Sequence, residues 1–385
     1  MIQSGFDFDE AKAMLALSQA IYGVPAIPVP TPDPAALGWS KVDILSPSRA
    51  TLLDNLWQVW RDEANPNRHA IVVRGTVDTT PSILADLLFP LVDARLDLKI
   101  PAGGKEIDIP FHLARDEAGS AVVAGTHLGF TLGLLLMLLT TDRPLLLTLL
   151  ALSANPDAEI FITGHSQGAS LATLLTSFVR HASGPFASIS KAAAKTYVFA
   201  PAKPGNDHYG NDYAAIAGVR GLAWTVLSTQ GWVPQVPFTL QIPSDLNTPN
   251  PLRAYEGTPP ATLDPRLATL QAALEPMSVA LRKQSELQAR ALTDTLKAQL
   301  AAETRPVGAV PVPTGETAAV DGAALSHLVD SALSHLQLSL NYTDAGARVP
   351  LFATPGGNPD DPSDFFWQHH LGNYWTYMQA QYGAT

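Results

Sequence analysis

The feature that most constrains the fold is a pentapeptide, Gly164-His-Ser-Gln-Gly168, between two regular segments. The apolar run at 159–163 before it is typical of a buried parallel strand, and residues 169–175 after it are typical of a helix. A G-x-S-x-G motif in this context predicts a tight strand-to-helix turn that exposes the serine hydroxyl. Glycines on both sides let neighbouring backbones approach where a Cβ would clash.

Three further short apolar runs predict strands of the same sheet, and they lie at 70–73, 196–200 and 224–227. Segments with helical character separate them. Short apolar strands alternating with helices indicate an α/β fold, in which helices cover both faces of a mostly parallel central sheet.

Composition excludes several other classes of protein and of active-site chemistry. The chain has 385 residues, 46% of them hydrophobic, a net charge of −11 and no cysteine. The hydrophobic content argues against a disordered chain, and the acidic balance argues against a nucleic-acid partner, which requires a basic face. Without cysteine there are no disulfides, no thiolate metal sites and no cysteine nucleophile.

The rest of the chain indicates one domain over 1–385 with two additions. Residues 81–125 are apolar without clean periodicity, which favours a lid or cap over the sheet. Residues 266–304, which Pro276 is expected to break or kink, and 321–340 have helical patterns. We interpret 264–340 as a helical insertion. An amphipathic helix is also expected near the N-terminus, over residues 9–22.

The longest apolar stretch, residues 132–152, is interrupted by Thr140-Thr-Asp-Arg-Pro144. Each remaining run is too short to cross a bilayer, so we expect two buried helical segments. The N-terminus has neither the basic region nor the apolar region of a signal peptide. This favours a cytoplasmic protein, or one exported without a recognisable Sec signal.

The pentapeptide predicts Ser166 as a nucleophile, which requires an oxyanion hole, a base and an acid. One oxyanion donor is expected to be the backbone N–H of Gln167, the residue after the serine. The other is expected from the loop Arg74-Gly-Thr76 at the end of the first apolar strand, where Thr76 offers its N–H and its hydroxyl.

Taken together, these segments resemble the class 3 lipases, the fungal-lipase-like branch of the α/β hydrolases. Five blocks follow the order of that family: Leu15-Ala-Leu-Ser-Gln-Ala-Ile-Tyr22, Ile71-Val-Val-Arg-Gly-Thr76 with Asp86, Thr126-His-Leu-Gly-Phe130, Ile162-Thr-Gly-His-Ser-Gln-Gly-Ala169 and Tyr197-Val-Phe-Ala-Pro-Ala-Lys-Pro-Gly-Asn206. Gln167 stands where leucine is commoner in the family. The resemblance implies an α/β-hydrolase fold, hydrolysis of acyl esters, and an apolar lid that contacts a lipid surface transiently.

The resemblance also places the base late in the chain, with an aromatic residue shortly after it. Among the ten histidines, His369 and His370 fit this description. We favour His369, because Tyr374 follows it at the spacing of many bacterial members of the family, and His370 is kept as the alternative.

The sequence departs from the family pattern at the position of the catalytic acid. The family carries an aspartate in a segment that resembles Ser228-Thr-Gln-Gly-Trp-Val-Pro-Gln-Val-Pro237, and here that position holds Gly231. Glycine cannot orient an imidazole or stabilise its cation. The acid is therefore missing or supplied from elsewhere, and the candidates are Asp207, Asp245, Asp344 and Asp364.

The sequence thus predicts a serine carboxylic-ester hydrolase, a lipase or esterase, impaired at Gly231. The alternative is a weakly active or non-catalytic protein that binds apolar ligands on a hydrolase scaffold. The apolar residues 84–92 are candidates to line an acyl site or lid. No cofactor is required, although Asp207, His208 and Asp212 are a minor candidate for metal binding. The oligomeric state stays open.

Overall fold

A seven-stranded sheet forms the centre of the fold. The computed structural model describes residues 2–23, 30–77, 79, 82–83, 86, 90–102, 105–116, 123–241, 245, 265–302, 307–311, 317–337 and 339–383. The order of the central sheet is β1-β2-β3-β8-β9-β10-β14. Its strands are β1 (Trp39–Lys41), β2 (Trp57–Asp62), β3 (Arg68–Val73), β8 (Glu159–His165), β9 (Ala193–Phe199), β10 (Ala223–Ser228) and β14 (Ala347–Leu351).

The strands predicted from the apolar runs form the parallel part of this sheet. Strand β3 pairs in parallel with β8, β8 with β9, β9 with β10, and β10 with β14. Only β1 and β2 are antiparallel to their neighbours within the described sheet. The predicted α/β fold is confirmed, and it is the α/β-hydrolase arrangement.

The strands of the parallel part send alternate side chains into two cores. Ile71 and Val73 of β3 join the Leu-rich helices and the helix that follows Ser166 in one core. Ala70 and Val72 join the first and last helices in the other core. Both faces of the sheet are therefore covered, which explains why the parallel strands read as continuous apolar runs rather than alternating ones.

The described helices agree with most of the predicted segments. The first begins one residue before the predicted range, and the apolar stretch at 132–152 contributes to two buried helices, as expected. No helix in the described ranges is both long enough and apolar enough to cross a membrane. Their bounds are Phe8–Ala20, Leu128–Leu139, Leu145–Ser153, Gln167–His181, Asp207–Tyr213, Pro265–Ala302, Gly322–Leu333 and Leu371–Tyr382.

The region 81–125 is more regular than its sequence indicated. Strands β5 (Arg95–Ala102) and β6 (Lys105–His112) form an antiparallel hairpin, and β4 (Leu91–Asp93) pairs with β7 (Gly125–His127). On the hairpin, Leu96, Leu98 and Ile100 are buried and alternate with polar residues. This alternation over residues 95–100 is the strand signal that the sequence reading missed. Most of residues 78–89 lie outside the described residues, and the lid stays a prediction.

The helical insertion differs in detail from its prediction. The long helix Pro265–Ala302 continues through Pro276, so the proline does not break it. Leu296 and Leu300 are buried, whereas Leu281 is exposed. The second helix ends at Leu333, and Leu336–Gln337 form strand β13, which pairs with β4. The remaining described strands, β11 (Gly308–Pro311) and β12 (Thr317–Val320), form a small hairpin between the two helices.

Candidate active site

Ser166 lies at the turn between β8 and the helix Gln167–His181, which we call the elbow helix. Its backbone has φ 59° and ψ −130°, a left-handed conformation that a side chain rarely adopts. Such a conformation persists only when the surroundings hold it. Here the Ser166 amide donates to the carbonyl of Phe199 at 3.0 Å, and its carbonyl accepts from the Ala169 amide at 2.9 Å.

The glycines of the motif are required by close backbone contacts. A Cβ on Gly164 would lie 2.4 Å from the carbonyl oxygen of Gly168, and a Cβ on Gly168 would lie 2.3 Å from that of Val73. The beginning of the elbow helix therefore packs directly on the end of β3. No other residue type fits either position without a backbone shift.

The loop formed by residues 74–76, which we call the oxyanion loop, lies against the nucleophile. A Cβ on Gly75 would lie 2.5 Å from the carbonyl oxygen of His165 and 3.1 Å from Cβ of Ser166. The structure thus brings together the loop of Thr76 and the turn of Ser166 and Gln167. Their roles as nucleophile and oxyanion donors stay predictions.

Side chains reinforce this arrangement. Thr76 Oγ1 donates to Oδ2 of Asp86 at 2.8 Å, and Gln167 Nε2 donates to Oδ1 of the same carboxylate at 2.9 Å. Beside them, the Arg74 guanidinium bonds Asp54 at 2.7 Å, and Thr79 Oγ1 donates to the other oxygen of Asp54 at 2.7 Å. Two carboxylates therefore fix the oxyanion loop and the residues that follow it.

His165, inside the motif, links the nucleophile turn to two distant parts of the chain. Its Nδ1 is 2.9 Å from the hydroxyl of Tyr22, and its Nε2 is 2.9 Å from the carbonyl oxygen of His369. Burial lowers the pKa of His165 to about 4, although the bond to the His369 carbonyl opposes the shift. Its neutral ring thus holds the backbone of the predicted base next to the elbow.

The predicted base, His369, is buried beside this turn. The centroid of its ring lies 4.4 Å from that of His165 and 5.8 Å from that of Phe366. Neither ring nitrogen has a hydrogen-bond partner among the described residues. Burial, followed by the neighbouring His165 and His370, keeps the pKa of His369 well below its ordinary value. The ring is therefore neutral near pH 7, the state in which a histidine accepts a proton.

The alternative base, His370, has a different environment. Its Nε2 is 2.9 Å from Oδ2 of Asp364, and its side chain is about one quarter exposed. Asp364, one of the candidate acids, is therefore engaged with His370 and not with His369. Asn358 also donates to the same carboxylate oxygen at 3.1 Å.

Gly231, at the predicted acid position, is buried in the loop after β10. A Cβ at this position would meet its nearest neighbours at 3.5–3.6 Å, which is ordinary contact. The other candidate acids have their own partners, and none supplies a hydrogen bond to the His369 ring within the described part of the chain. Asp207 accepts from Asn341, Asp245 from Ser339, and Asp344 pairs with Arg348.

Exposed aromatic side chains occur in the loop that holds Gly231 and in the segment just before the predicted base. Trp232, next to Gly231, is 45% exposed, and its ring centroid is 5.2 Å from that of Phe366. The indole Nε1 donates to the carbonyl of Phe365 at 3.0 Å, while the Phe365 ring itself is 81% exposed. The loop after β10 and the segment before the last helix thus form one surface, which we call the aromatic rim (Trp232, Phe365 and Phe366).

The candidate metal residues do not form a ligand set. Asp212 is buried, and it pairs with Arg115 and His181 at 2.7 and 2.6 Å. His208 Nε2 lies 3.7 Å from Asp207. In the ranges that the structure describes, no group of three His, Cys, Asp or Glu side chains could hold a metal.

Comparison with known families agrees with this geometry. The model of the class 3 lipases matches residues 70–241, which include β3, the nucleophile turn and Gly231. The model covers less than half of the chain, and over this segment the resemblance predicted from the motifs is confirmed. No curated protein matches the chain significantly.

Solved structures of fungal lipases resemble the chain in fold. The Rhizomucor miehei lipase in its propeptide complex is 17% identical over 60% of this chain and 62% of its own, with a TM-score of 0.40. Lip2 lipase from Yarrowia lipolytica is 17% identical over 62% and 77%, with a TM-score of 0.43. The lipase from Rhizopus microsporus var. chinensis is 16% identical over 60% and 67%, with a TM-score of 0.38. The chain therefore spans less than two thirds of the Rhizomucor protein's length.

Sequence reasoning missed two contributions to the site. His165 was not among the predicted site residues, yet its ring joins Tyr22 to the His369 backbone. The side chain of Gln167 was given no role, although it bonds Asp86. Two signals were available in the sequence. Tyr22 ends the first of the five blocks that follow the order of the family, and Gln167 stands where leucine is commoner.

Proposed function

We propose that this chain is a serine carboxylic-ester hydrolase that acts on acyl esters through an acyl-enzyme on Ser166. The observation that carries the proposal is the backbone of Ser166, held at φ 59° after β8 with the oxyanion loop packed against its Cβ. This geometry presents a hydroxyl beside the beginning of a helix, where N–H groups can stabilise a developing negative charge.

The proposed reaction begins with attack of Ser166 Oγ on the ester carbonyl carbon while His369 takes the hydroxyl proton. The backbone N–H groups of Gln167 and Thr76 hold the oxyanion. The C–O bond to the alcohol then breaks, and the alcohol leaves with the proton from His369. A water molecule, deprotonated by His369, attacks the acyl-enzyme. The bond between Ser166 Oγ and the acyl carbon then breaks, His369 returns the proton to Oγ, and the carboxylic acid leaves.

The weak step is stabilisation of the His369 cation. Burial and the neighbouring histidines keep the pKa of His369 well below its ordinary value, which favours proton acceptance at rest but opposes the charge that must form. No carboxylate stands at Gly231 to offset this. Loss of the acid alone lowers kcat by about 10⁴-fold in serine hydrolases, so we expect slow turnover.

The proposed substrate class is an uncharged ester with an apolar acyl chain. The aromatic rim supports this, because the half-exposed Phe366 lies 5.8 Å from the His369 ring, and the half-exposed Trp232 contacts Phe366 and the backbone of the exposed Phe365. Asp360, Asp361 and Asp364 flank the rim and disfavour an anionic lipid surface. We propose that residues 81–125 include the lid over this site and that 264–340 extend the cap.

One observation favours a second candidate, an apolar-ligand-binding protein with little or no catalysis. Both ring nitrogens of His369 lack partners among the described residues, and Gly231 supplies none. A scaffold that has lost its catalytic acid retains the apolar site, and it would bind fatty acids without turnover.

Covalent labelling separates the two candidates. The protein is incubated with a fluorophosphonate, and the labelled peptide is identified by mass spectrometry, with hydrolysis of p-nitrophenyl butyrate measured in parallel. The proposed hydrolase predicts modification of Ser166 and ester turnover, both abolished by Ser166→Ala. Ser170→Ala, which changes a buried serine of the same helix, is the matched control and should retain both. Fatty-acid binding without label or turnover would favour the second candidate.

A further inference from the structure

The side chain of Gln167 is buried and uses both of its polar groups. Its Oε1 accepts from Asn55 Nδ2 at 3.1 Å, and its Nε2 donates to the carbonyl oxygen of Ser82 at 3.0 Å and to Asp86 Oδ1 at 2.9 Å. Its exposed fraction is 2%. A leucine, the commoner residue of the family at this place, could make none of these bonds. A buried amide with complete bonding specifies one arrangement of its neighbours.

These bonds connect the two residues predicted to hold the oxyanion. The Asp86 carboxylate accepts from Gln167 through one oxygen and from Thr76 Oγ1, at 2.8 Å, through the other. Thr76 lies on a loop, whereas Gln167 begins the elbow helix. The chain of contacts therefore runs from a rigid element through Asp86 to the loop residue.

We infer that the Gln167 side chain is a positioning residue, which fixes Thr76 through Asp86 and anchors the start of the following segment through Ser82. The inference rests on the proposed ester hydrolysis, because it assigns the side chain a part in building the oxyanion hole. Its own backbone N–H keeps the separate role of oxyanion donor. The side chain acts on the reaction only through Asp86 and Thr76.

The physical reason is preorganisation. Oxyanion donors stabilise the transition state fully only when they are fixed before charge develops. Ser82 and Asp86 lie in the part of the chain proposed to include the lid. Without the Gln167 side chain, Asp86 and the Thr76 bonded to it would lose their hydrogen bond to the elbow helix. Ser82 adds a local constraint, because its hydroxyl accepts from the Val77 amide at 3.2 Å. The buried Gln167 side chain connects Ser82 and Asp86 to the elbow helix through hydrogen bonds.

The ionisation of Asp86 offers an independent readout. Burial raises the pKa of Asp86 to about 6, and the bonds from Thr76 and Gln167 oppose the shift. The other ionisable groups around it are Tyr22, His127 and Arg74, the last paired with Asp54. Removing the Gln167 donor takes away one of the two opposing bonds, so the pKa of Asp86 rises further. The acid limb of the pH–activity profile is then expected to move to higher pH.

The test compares Gln167→Leu with Ser177→Ala. Gln167→Leu keeps the backbone N–H and the approximate volume while it removes all three bonds. Ser177→Ala removes one buried bond, to the Tyr209 hydroxyl at 2.9 Å, on the same helix away from the site. The kcat and KM for p-nitrophenyl butyrate are measured from pH 4.5 to 8.5. For Gln167→Leu we expect kcat to fall about tenfold with KM nearly unchanged, less than the roughly 10²-fold lost with an oxyanion donor itself. Its acid limb should move upward, and Ser177→Ala should match the parent in both respects.

The inference is overturned if Gln167→Leu retains the parental kcat and acid limb in an enzyme whose turnover depends on Ser166. If the parent is too slow to assay, the same pair is made in the Gly231→Asp background. Absence of Ser166-dependent turnover in both backgrounds is a different result, which rejects the proposed function and this inference with it. If kcat falls equally in Gln167→Leu and Ser177→Ala and neither pH profile moves, the role of Gln167 is purely structural and the inference is wrong.

Discussion

The two halves of the candidate site differ in how completely their polar groups are paired. On the oxyanion side, Thr76 and Gln167 both donate to Asp86, and Arg74 is paired with Asp54. On the base side, the His369 backbone bonds His165 through its carbonyl and Phe366 through its amide, at 2.7 Å, but its ring nitrogens have no partner among the described residues. For the proposed hydrolase, the difference predicts that proton transfer, rather than charge stabilisation, limits turnover.

The strongest way to sharpen this comparison is to supply the carboxylate. Gly231→Asp should raise kcat, by up to about 10⁴-fold if the carboxylate reaches the His369 ring. The structure accommodates the first added atom, since a Cβ there meets its neighbours at 3.5–3.6 Å. Steady-state hydrolysis of p-nitrophenyl butyrate measures the effect. Gly231→Ala adds the Cβ without the carboxylate and should stay at the parental rate; an equal gain in both variants would contradict the expectation.

The next effect in size concerns the choice of base. His369→Gln should lower kcat by about 10²-fold to 10⁴-fold, the usual contribution of a general base. His370→Gln should leave most of the activity, because the His370 ring is engaged with Asp364. Both variants are assayed with the same ester, with circular dichroism to verify folding. The reverse order of effects would move the base to His370 and make Asp364 its acid.

A substitution at Gly75 should disrupt the oxyanion side of the site. A Cβ there would lie 2.1 Å from the Tyr22 hydroxyl oxygen and 2.5 Å from the His165 carbonyl, so the loop must shift. Gly75→Ala should lower kcat by about 10²-fold, the effect of small displacements in an active site, and destabilise the fold by about 1–3 kcal/mol. Kinetics and urea unfolding measure the two effects. Gly357→Ala, where a Cβ meets nothing within 4 Å, is the matched control and should change neither.

The smallest predicted effect is a pH dependence of stability on the base side. Burial alone would raise the pKa of Asp364, but its bonds with His370 and Asn358 outweigh burial and lower it. Ionised Asp364 therefore stabilises the fold above its unfolded pKa of about 4, and this contribution is lost as the pH falls through the lower, folded value. Asp364→Asn should lower the Tm slightly at pH 7 and converge on the parent at acid pH. A Tm difference that persists undiminished at low pH would contradict this origin.

The sequence predicted the parts of the molecule that depend on local pattern. The apolar runs at 70–73, 159–163, 196–200 and 224–227 lie in adjacent parallel strands, because strands buried on both faces carry no polar alternation. The turn at Ser166 could be predicted from Gly164 and Gly168, because the close backbone contacts at these positions leave no room for a Cβ.

The sequence did not predict features that depend on distant partners. Nothing local to Gln167 indicates that its amide bonds Asp86 and Asn55, since these contacts join separate segments. The same holds for His165, whose partners are Tyr22 and His369. The long helix continues through Pro276, where the local preference for a break is overridden.

The ordinary packing around Gly231 has an evolutionary consequence. Glycine and aspartate codons differ by a single base, and the pocket accepts a Cβ without rearrangement. A lineage could therefore lose or regain the carboxylate in one step while the neighbouring residues stay under unchanged selection. In such a protein, loss of the carboxylate removes catalytic strength without a steric change in the packing of the loop.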